Sequence, residues 1–132
     1  MNNEKVSIIT PVYACEKLLK CTIECVINQT YTNWEMLLVD DCTPDNSAEI
    51  IKQYAEKDKR IKYFKQDVNG GAAKARNRAL KEATGRYIAY LDADDLWKPE
   101  KLEKQIKFMN DNKIGFSCTD YEKIDEDGRI HT

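Results

Sequence analysis

Short apolar runs with the length of β-strands alternate with helical segments along this sequence, and that alternation is what most constrains its fold. Strand-like runs are predicted at 6–10, 36–39, 61–64 and 87–91. Continuous apolar strands separated by helices are typical of a parallel sheet with helices on both faces. We therefore expect an α/β fold in which Pro11 ends the first strand and 115–119 is a candidate fifth strand.

The helical segments are recognised by apolar residues at helical spacing or by strong helix formers. They are predicted over 17–29, over 72–83 and from Pro99, which suits a first helical turn, to about residue 110. A further helix follows the second strand, with Asp45 or Ser47 as its N-cap. The length of 132 residues allows one domain with a single core.

Charge and hydropathy exclude some functions. Basic residues number 21 and acidic residues 23, so the formal net charge is −2. A nucleic-acid partner is not expected, because it would need a clustered basic excess. No apolar run approaches the roughly 18 residues that span a bilayer, and no apolar signal region precedes the first strand. We expect a cytoplasmic location, with membrane association of the parent enzyme left open.

The five cysteines form no CxxC pair, and their number is odd. We predict free thiols that pack as small core residues. A zinc site lacks ligands, because the chain has one histidine. The cysteines are Cys15, Cys21, Cys25, Cys42 and Cys118.

Acidic side chains follow two of the predicted strands where those strands end. Asp40 and Asp41 follow the second strand, and Asp92, Asp94 and Asp95 follow the fourth. The carboxyl ends of parallel strands open onto one ligand-binding crevice. Clustered carboxylates raise one another's pKa unless a cation screens them, and Mg²⁺ or Mn²⁺ suits such oxygen ligands. We predict a divalent metal site, while an aspartate at a strand end is also a common turn residue or helix cap.

The predicted helix over 72–83 begins after Gly70-Gly71 and carries three cations. Two interpretations stay open for it. Lys74, Arg76 and Arg78 form a solvated face, or some of them reach an anionic ligand. The two glycines before the helix are compatible with phosphate binding at its N-terminus.

Two stretches of the sequence resemble the N-terminal part of family 2 glycosyltransferases, which have the GT-A fold. They are VSIITPVYACEKLLKCTIECVINQTYTNWEMLLVDDCTPDNS and NGGAAKARNRALKEATGRYIAYLDADDLWKPEKLEKQI. The resemblance covers roughly residues 5 to 110 and contains several motifs in the order of the family. It implies a Rossmann-like, mainly parallel sheet, and makes 1–132 the nucleotide-sugar-binding part of a GT-A domain whose acceptor-binding half is absent.

The resemblance also implies a role for each matching residue near the nucleotide. Pro11 and Tyr13 would line a uracil pocket, and Asp41 would hydrogen-bond the base, whereas Asp40 would order the turn. The segment near the nucleotide would include Asn77, with its cations directed toward the diphosphate; these are Lys74 and Arg76.

The matching acidic motif has further implied roles. Asp92 would reach the ribose or the metal, and Asp94 would bind the metal directly. Asp95 would contact the donor sugar or support the metal ligands, and Trp97 would pack under the loop. The implied cofactor is Mg²⁺ or Mn²⁺.

The implied activity is metal-dependent transfer of a sugar from a nucleotide-diphosphate donor, most simply a UDP-sugar, to an unknown saccharide or lipid-linked acceptor. Inversion at the anomeric carbon is the usual course in the family. The catalytic base is expected beyond Thr132, since the acidic segment 120–127 matches no such motif. We therefore expect this chain to be inactive in transfer and to associate with itself through an unpaired sheet edge.

Three other functions fit the sequence less well. An aspartate-nucleophile phosphatase also uses an Asp-x-Asp motif, but places it after the first strand and prefers Thr or Val where this chain has Leu96. A receiver-like binding module would use Asp40 and Asp41 and would bind no nucleotide. A dinucleotide-binding dehydrogenase is disfavoured, because no GxGxxG motif follows the first strand.

Overall fold

A computed structural model describes residues 4–113 and Gly115, together with the backbone of 123–124 and 130–131. The elements in chain order are β1 (Val6–Val12), α1 (Glu16–Ile27), β2 (Trp34–Asp40), α2 (Ser47–Lys57), β3 (Ile61–Lys65), α3 (Ala72–Glu82), β4 (Tyr87–Tyr90), α4 (Lys101–Asn112), β5 (Lys123–Ile124) and β6 (Ile130–His131). Apart from Gly115, which lies in a bend, the predicted strand at 115–119 lies outside these residues.

The main sheet has four parallel strands in the order β3-β2-β1-β4. β1 is central: it pairs with β2 from Val6 to Val12 and with β4 from Val6 to Ile9. The short strands β5 and β6 form a separate antiparallel pair. The predicted α/β fold with a parallel sheet is confirmed. Within the described part of the chain β3 and β4 are edge strands, and self-association through such an edge stays a prediction.

Helices cover both faces of the sheet, as predicted, and each face has its own core. Alternate residues of β1 and β2 point to opposite faces, which follows from the two-residue repeat of a strand. Residues such as Ile8 and Leu38 join α1, α2 and α4 in the larger core. Ile9 and Leu37 join α3, whose buried side chains are small. Among the described residues, no helix combines the length and the apolar character needed to cross a bilayer.

Several boundaries differ from the prediction by a few residues, and three of the differences have a physical reason in the structure. Pro11 lies inside β1. The carbonyl of Ile9 accepts the N–H of Leu91, which follows β4. Since the backbone groups of residues i and i+2 of a strand point to the same side, the backbone nitrogen of Pro11 also points toward β4. β4 pairing ends at Ile9, so the N–H that proline lacks is not needed there. α4 begins at Lys101, and Pro99 belongs to the turn before it.

The third difference concerns the start of α2. Asn46 occupies the N-cap position and makes no side-chain cap bond. The Asp45 carboxylate instead accepts the Ser47 N–H at 3.0 Å and the Glu16 N–H at 3.2 Å, so one side chain serves the first residues of two helices. Burial alone would raise the pKa of Asp45, but hydrogen bonds from Thr43, Ser47 and Glu16 outweigh it and lower the pKa to about 2.

The buried carboxylate of Glu35 connects neighbouring segments at the amino end of the sheet through hydrogen bonds. Glu35 is 1% exposed and accepts hydrogen bonds from the Ser7 hydroxyl at 2.6 Å, the Thr84 N–H at 2.7 Å and the Lys62 ammonium at 2.9 Å. Gly85 is required beside it, because a Cβ there would lie 2.6 Å from Ser7 Oγ. Burial alone would raise the pKa of Glu35, but these bonds outweigh burial and lower it to about 2.

The Glu35 network predicts a pH dependence of stability. A folded-state pKa below the ordinary 4.5 stabilises the fold above that pH, by roughly 3 kcal/mol, and the stabilisation is lost as pH falls from about 4.5 toward 2. We expect Glu35→Gln to lower the free energy of unfolding in urea at pH 7, with a smaller deficit below pH 4. Glu56→Gln, which alters an exposed carboxylate of α2, should show neither effect. A deficit that is the same at both pH values would contradict the assignment.

The four described cysteines are free thiols, as predicted, but none is a buried core residue: Cys21 is exposed, and Cys15, Cys25 and Cys42 are partly buried. Cys118 lies outside the described residues. Cys21 is exposed, whereas burial raises the pKa of the Cys25 thiol. A thiol assay on unfolded, unreduced protein should report five thiols, and in the folded protein Cys21 should react before Cys25 because the thiolate is the reactive form. Three thiols in the unfolded protein would contradict this prediction.

Candidate functional site

The strand order places a crevice between the carboxyl ends of β1 and β4. From β1 the chain proceeds outward through β2 to β3, and then returns to the other side of β1 to form β4. Ligands of open parallel sheets bind where the order reverses in this way. The last β4 pair is Tyr90 with Ile9, so Asp92 and Pro11 both stand two residues beyond it. The predicted residues of the first and fourth strands therefore meet at one edge.

Three carboxylates converge in the turn that follows β4. The N–H of Asp95 donates to the carbonyl of Asp92 at 3.0 Å, which closes the turn. One carboxylate oxygen from each of Asp92, Asp94 and Asp95 lies within 4.8 Å of the others, and all three residues are exposed. On α3, Arg76 Nη2 lies 3.5 Å from Asp92 Oδ1 and forms an ion pair with it. We call residues 92–95 the acidic turn.

The acidic turn concentrates negative charge. Partial desolvation raises the pKa of Asp95, and the charges of Asp94 and Asp92 raise it further. Burial likewise raises the pKa of the Cys15 thiol at the start of α1, with added contributions from the charges of Asp94, Asp45 and Asp92. Hard oxygen ligands on an exposed turn, with space for water and phosphate oxygens, fit the ligand preference of Mg²⁺ and Mn²⁺.

A cleft of about 360 Å³ lies against the acidic turn and is lined by Arg76, Tyr90, Asp92 and Asp95. The Tyr90 side chain is 57% exposed at the end of β4. It was not among the predicted site residues, because an aromatic residue in an apolar strand is ordinarily part of the core. The cleft offers a cation, carboxylates and an aromatic ring within one concave surface.

Asp41 is buried and acts as an acceptor for backbone groups. Its Oδ1 accepts the Gly70 N–H at 2.9 Å and its Oδ2 the Gly71 N–H at 2.8 Å, while the Asn69 amide donates to its carbonyl. Gly71 has a φ of 91°, a conformation that favours glycine. Both glycine N–H groups are bonded to Asp41 and are not available to a phosphate. Phosphate binding at the N-terminus of α3 stays a prediction. The predicted contact of Asp41 with a nucleotide base stays a prediction.

Asp40 orders the β2–α2 turn, as expected. Its carboxylate accepts the Thr43 N–H at 2.8 Å and the Tyr63 hydroxyl at 2.6 Å. The Thr43 hydroxyl in turn accepts the Ala14 N–H at 2.8 Å, which joins this turn to the one after β1. Ala14 and Cys42 both have positive φ values, of 52° and 61°, so neither turn is in a relaxed conformation. Hydrogen bonds hold these strained turns beside the crevice.

The remaining predicted residues differ in how they approach the crevice. Tyr13 follows β1 with half of its side chain exposed, and Pro11 is partly exposed. Of the three α3 residues, Arg76 reaches the acidic turn. Lys74 and Asn77 are exposed and make no side-chain hydrogen bond with any described residue. The structure thus joins Arg76 to the acidic turn and leaves Lys74 and Asn77 on the solvent side of the helix.

The loop after the acidic turn packs on the larger core and is hydrogen-bonded to α1. Trp97 packs against the larger core, in agreement with its implied place under the loop, and its N–H donates to Cys25 Sγ at 3.3 Å. The buried hydroxyl of Thr22 on α1 contacts the acidic turn itself. Thr22 was missed in the sequence, where the signal was a polar residue inside an otherwise apolar helix face.

Comparison with known proteins gives one family. The sequence profile of glycosyl transferase family 2 matches residues 7–131. The chain is 46% identical over 123 residues to a Bacillus subtilis protein provisionally named as a teichuronic acid biosynthesis glycosyltransferase, covering 93% of this chain and 49% of that protein. It is 44% identical over 130 residues to the Escherichia coli UDP-Glc:alpha-D-GlcNAc-diphosphoundecaprenol beta-1,3-glucosyltransferase, covering 98% of this chain and 51% of that protein. The chain spans about half the length of these relatives.

Solved structures with the same architecture are GT-A glycosyltransferases. Staphylococcus aureus TarS in complex with UDP matches with a TM-score of 0.77 and 32% identity, covering 83% of this chain and 33% of that chain. A mannosyltransferase from Pyrobaculum calidifontis in complex with GDP-Man and Mn²⁺ matches with a TM-score of 0.77 and 25% identity, over the same shares. The expected GT-A fold is confirmed.

The contacts of Asp41 predict that its carboxylate holds the loop before α3. In Asp41→Asn an amide group replaces one acceptor oxygen and faces a backbone N–H, so we expect faster hydrogen exchange at Gly70 and Gly71 and a loss of about 1–3 kcal/mol in unfolding free energy. Asp67→Asn changes an exposed carboxylate of the same loop and serves as the control. Equal exchange at both glycines in the two variants would show that the carboxylate does not hold the loop.

Proposed function

This chain belongs to glycosyl transferase family 2, and from that premise we propose that its crevice holds the nucleotide-diphosphate sugar donor of a glycosyl transfer. The observation that carries the proposal is the convergence of Asp92, Asp94 and Asp95 at the strand-order reversal, with Arg76 beside them. A nucleotide diphosphate is anionic, so a site for it needs cationic groups. Arg76 supplies one, and a bound divalent cation would supply the rest.

We propose that Asp94 and Asp92 hold Mg²⁺ or Mn²⁺, with Asp95 at the donor sugar or supporting these ligands. Three carboxylates with oxygens within 4.8 Å suit a hard divalent cation. The Pyrobaculum mannosyltransferase, which carries Mn²⁺ with its donor, supports the choice of ion. When bound, the cation would neutralise charge on the departing diphosphate as a Lewis acid. Arg76 would complement that charge from α3, and Lys74 and Asn77 lie on the same helix.

The nucleoside would lie at the carboxyl ends of β1 and β2. Tyr13, half exposed after β1, presents an aromatic ring that can flank a base, with Pro11 beside it. Asp41 has both oxygens bonded to glycine N–H groups; each oxygen keeps a second lone pair that can accept from the base. We propose uracil as the base, and the UDP complex of TarS supports that choice.

The sugar would occupy the cleft lined by Arg76, Tyr90, Asp92 and Asp95. We propose that transfer inverts the anomeric carbon: the acceptor hydroxyl oxygen forms the new bond on the face opposite the departing diphosphate, and a carboxylate beyond Thr132 takes the hydroxyl proton. The acceptor is a saccharide or a lipid-linked saccharide. The name of the Escherichia coli relative, which includes a diphosphoundecaprenol acceptor, supports the second form.

The other functions are not favoured. The acidic turn follows β4, the fourth strand along the chain, which is not the position that an aspartate-nucleophile phosphatase uses. For a receiver-like module, Asp40 and Asp41 would need to be available for modification. Both are buried and bonded to neighbouring groups. No relative reported above has either function.

We predict that UDP binds more tightly with Mn²⁺ than with a chelator, and that Asp94→Asn weakens this metal dependence more than Asp40→Asn does. Removing a coordinating charge should lower metal-linked affinity about tenfold or more, which is about 1.4 kcal/mol. Asp40→Asn should instead lower stability, because Asp40 accepts bonds from Thr43 and Tyr63. Isothermal titration calorimetry measures the affinities, and urea unfolding measures the stability.

Glu56→Gln removes one negative charge at an exposed position of α2 and controls for net charge. GDP should bind more weakly than UDP in the same titrations. Equal UDP affinity with Mn²⁺ and with chelator would refute the metal assignment, and tighter binding of GDP would refute the choice of uracil.

A further inference from the structure

The backbone between the acidic turn and α4 is held by hydrogen bonds to other parts of the chain. Residues 91–100 form neither helix nor strand, so the polar groups of this backbone need other partners. Several partners come from α1 and the turn after it. Two of them lie at positions i and i+3 on one face of α1, and the third lies two residues beyond the end of the helix. We call this set the α1 polar stripe: Thr22, Cys25 and Gln29.

Thr22 contacts the acidic turn directly. Its side chain is fully buried, and its hydroxyl lies 2.8 Å from the carbonyl oxygen of Ala93 and 2.9 Å from that of Asp95. A third carbonyl, that of Leu18 one turn earlier in α1, is farther away at 3.3 Å. The two nearer carbonyls belong to the residues on either side of Asp94. The Thr22 hydroxyl is thus within hydrogen-bond distance of the backbone on both sides of the central carboxylate.

The rest of the α1 polar stripe binds the chain that follows. Cys25 Sγ accepts the Trp97 N–H at 3.3 Å. Gln29 is 4% exposed; its amide donates to the Lys98 carbonyl at 2.8 Å and its amide oxygen accepts the Leu102 N–H at 3.1 Å. These contacts fix the segment up to the first turn of α4. They leave Thr22 as the residue of the stripe that acts on the acidic turn.

We propose that Thr22 is a positioning residue for the donor site, and that its hydroxyl holds the backbone around Asp94 so that the three carboxylates converge before a cation binds. The proposal rests on the proposed function for its consequence, which is tighter cation binding. Like charges on an exposed turn repel one another. A turn tied to α1 keeps its shape despite that repulsion, so less ordering remains to be done when the cation arrives.

The test compares Thr22→Val, which keeps the shape of the side chain and removes the hydroxyl, with Thr22→Ser, which keeps the hydroxyl. Ser7→Ala is the matched control: it removes another buried hydroxyl, at the amino end of β1, where its partner is Glu35. Mn²⁺ affinity is measured by calorimetry in the presence of UDP. Hydrogen exchange is measured over residues 92–97 in the metal-free chain.

We expect Thr22→Val to weaken Mn²⁺ binding on the order of tenfold, as is found when groups supporting metal ligands are removed, and to speed exchange over 92–97. In Thr22→Ser, the Mn²⁺ affinity and the exchange over 92–97 should stay close to those of the unmodified chain. Ser7→Ala should lower the unfolding free energy while leaving Mn²⁺ affinity and this exchange unchanged.

Two results would overturn the proposal: unchanged exchange over 92–97 in Thr22→Val, or a loss of Mn²⁺ affinity in Ser7→Ala as large as in Thr22→Val. The exchange measurement needs no metal, so it decides the role of Thr22 independently. Failure of the unmodified chain to bind Mn²⁺ with UDP would overturn the proposed function instead.

Discussion

The pairing of β1 with β2 on one side and with β4 on the other determines where everything else in this molecule can be. Because all four strands are parallel, their carboxyl ends lie at one edge. Because the chain leaves β1 in one direction and returns on the other side, the loops after β1 and β4 diverge and leave a crevice. Asp41 and the acidic turn belong to loops on opposite sides of β1. Strand order places both loops at the same edge of the sheet.

Two groups of carboxylates in this protein differ in what surrounds them. Glu35, Asp40 and Asp41 are buried, and each accepts hydrogen bonds from neighbouring groups. Burying a charge without such partners would be strongly unfavourable. The carboxylates of the acidic turn are exposed and lie together, with Arg76 as the cation paired to Asp92. The first group stabilises the loops and the sheet, and the second is left with lone pairs for a ligand.

The sequence predicted the parts of the structure that depend on local pattern. Apolar runs and helical spacing identified the strands and helices, and the position of Asp92 after a strand placed the acidic turn at the sheet edge. Long-range pairing was not readable in the pattern. Nothing local shows that Asp41 bonds to Gly70 and Gly71, nearly thirty residues away, or that Thr22 reaches Ala93. Pro11 was misread because the side of a strand that lacks a partner is known only once strand order is known.

These long-range contacts also connect the two halves of the crevice. Asp41 holds Gly70 and Gly71, which immediately precede α3. Arg76 lies little more than one turn into that helix and reaches Asp92. A displacement of the loop at Asp41 would therefore move the start of α3, and with it the guanidinium beside the acidic turn. Thr22 contacts the same turn from α1, on the opposite face of the sheet from α3. The position of the acidic turn therefore depends on contacts from both helices.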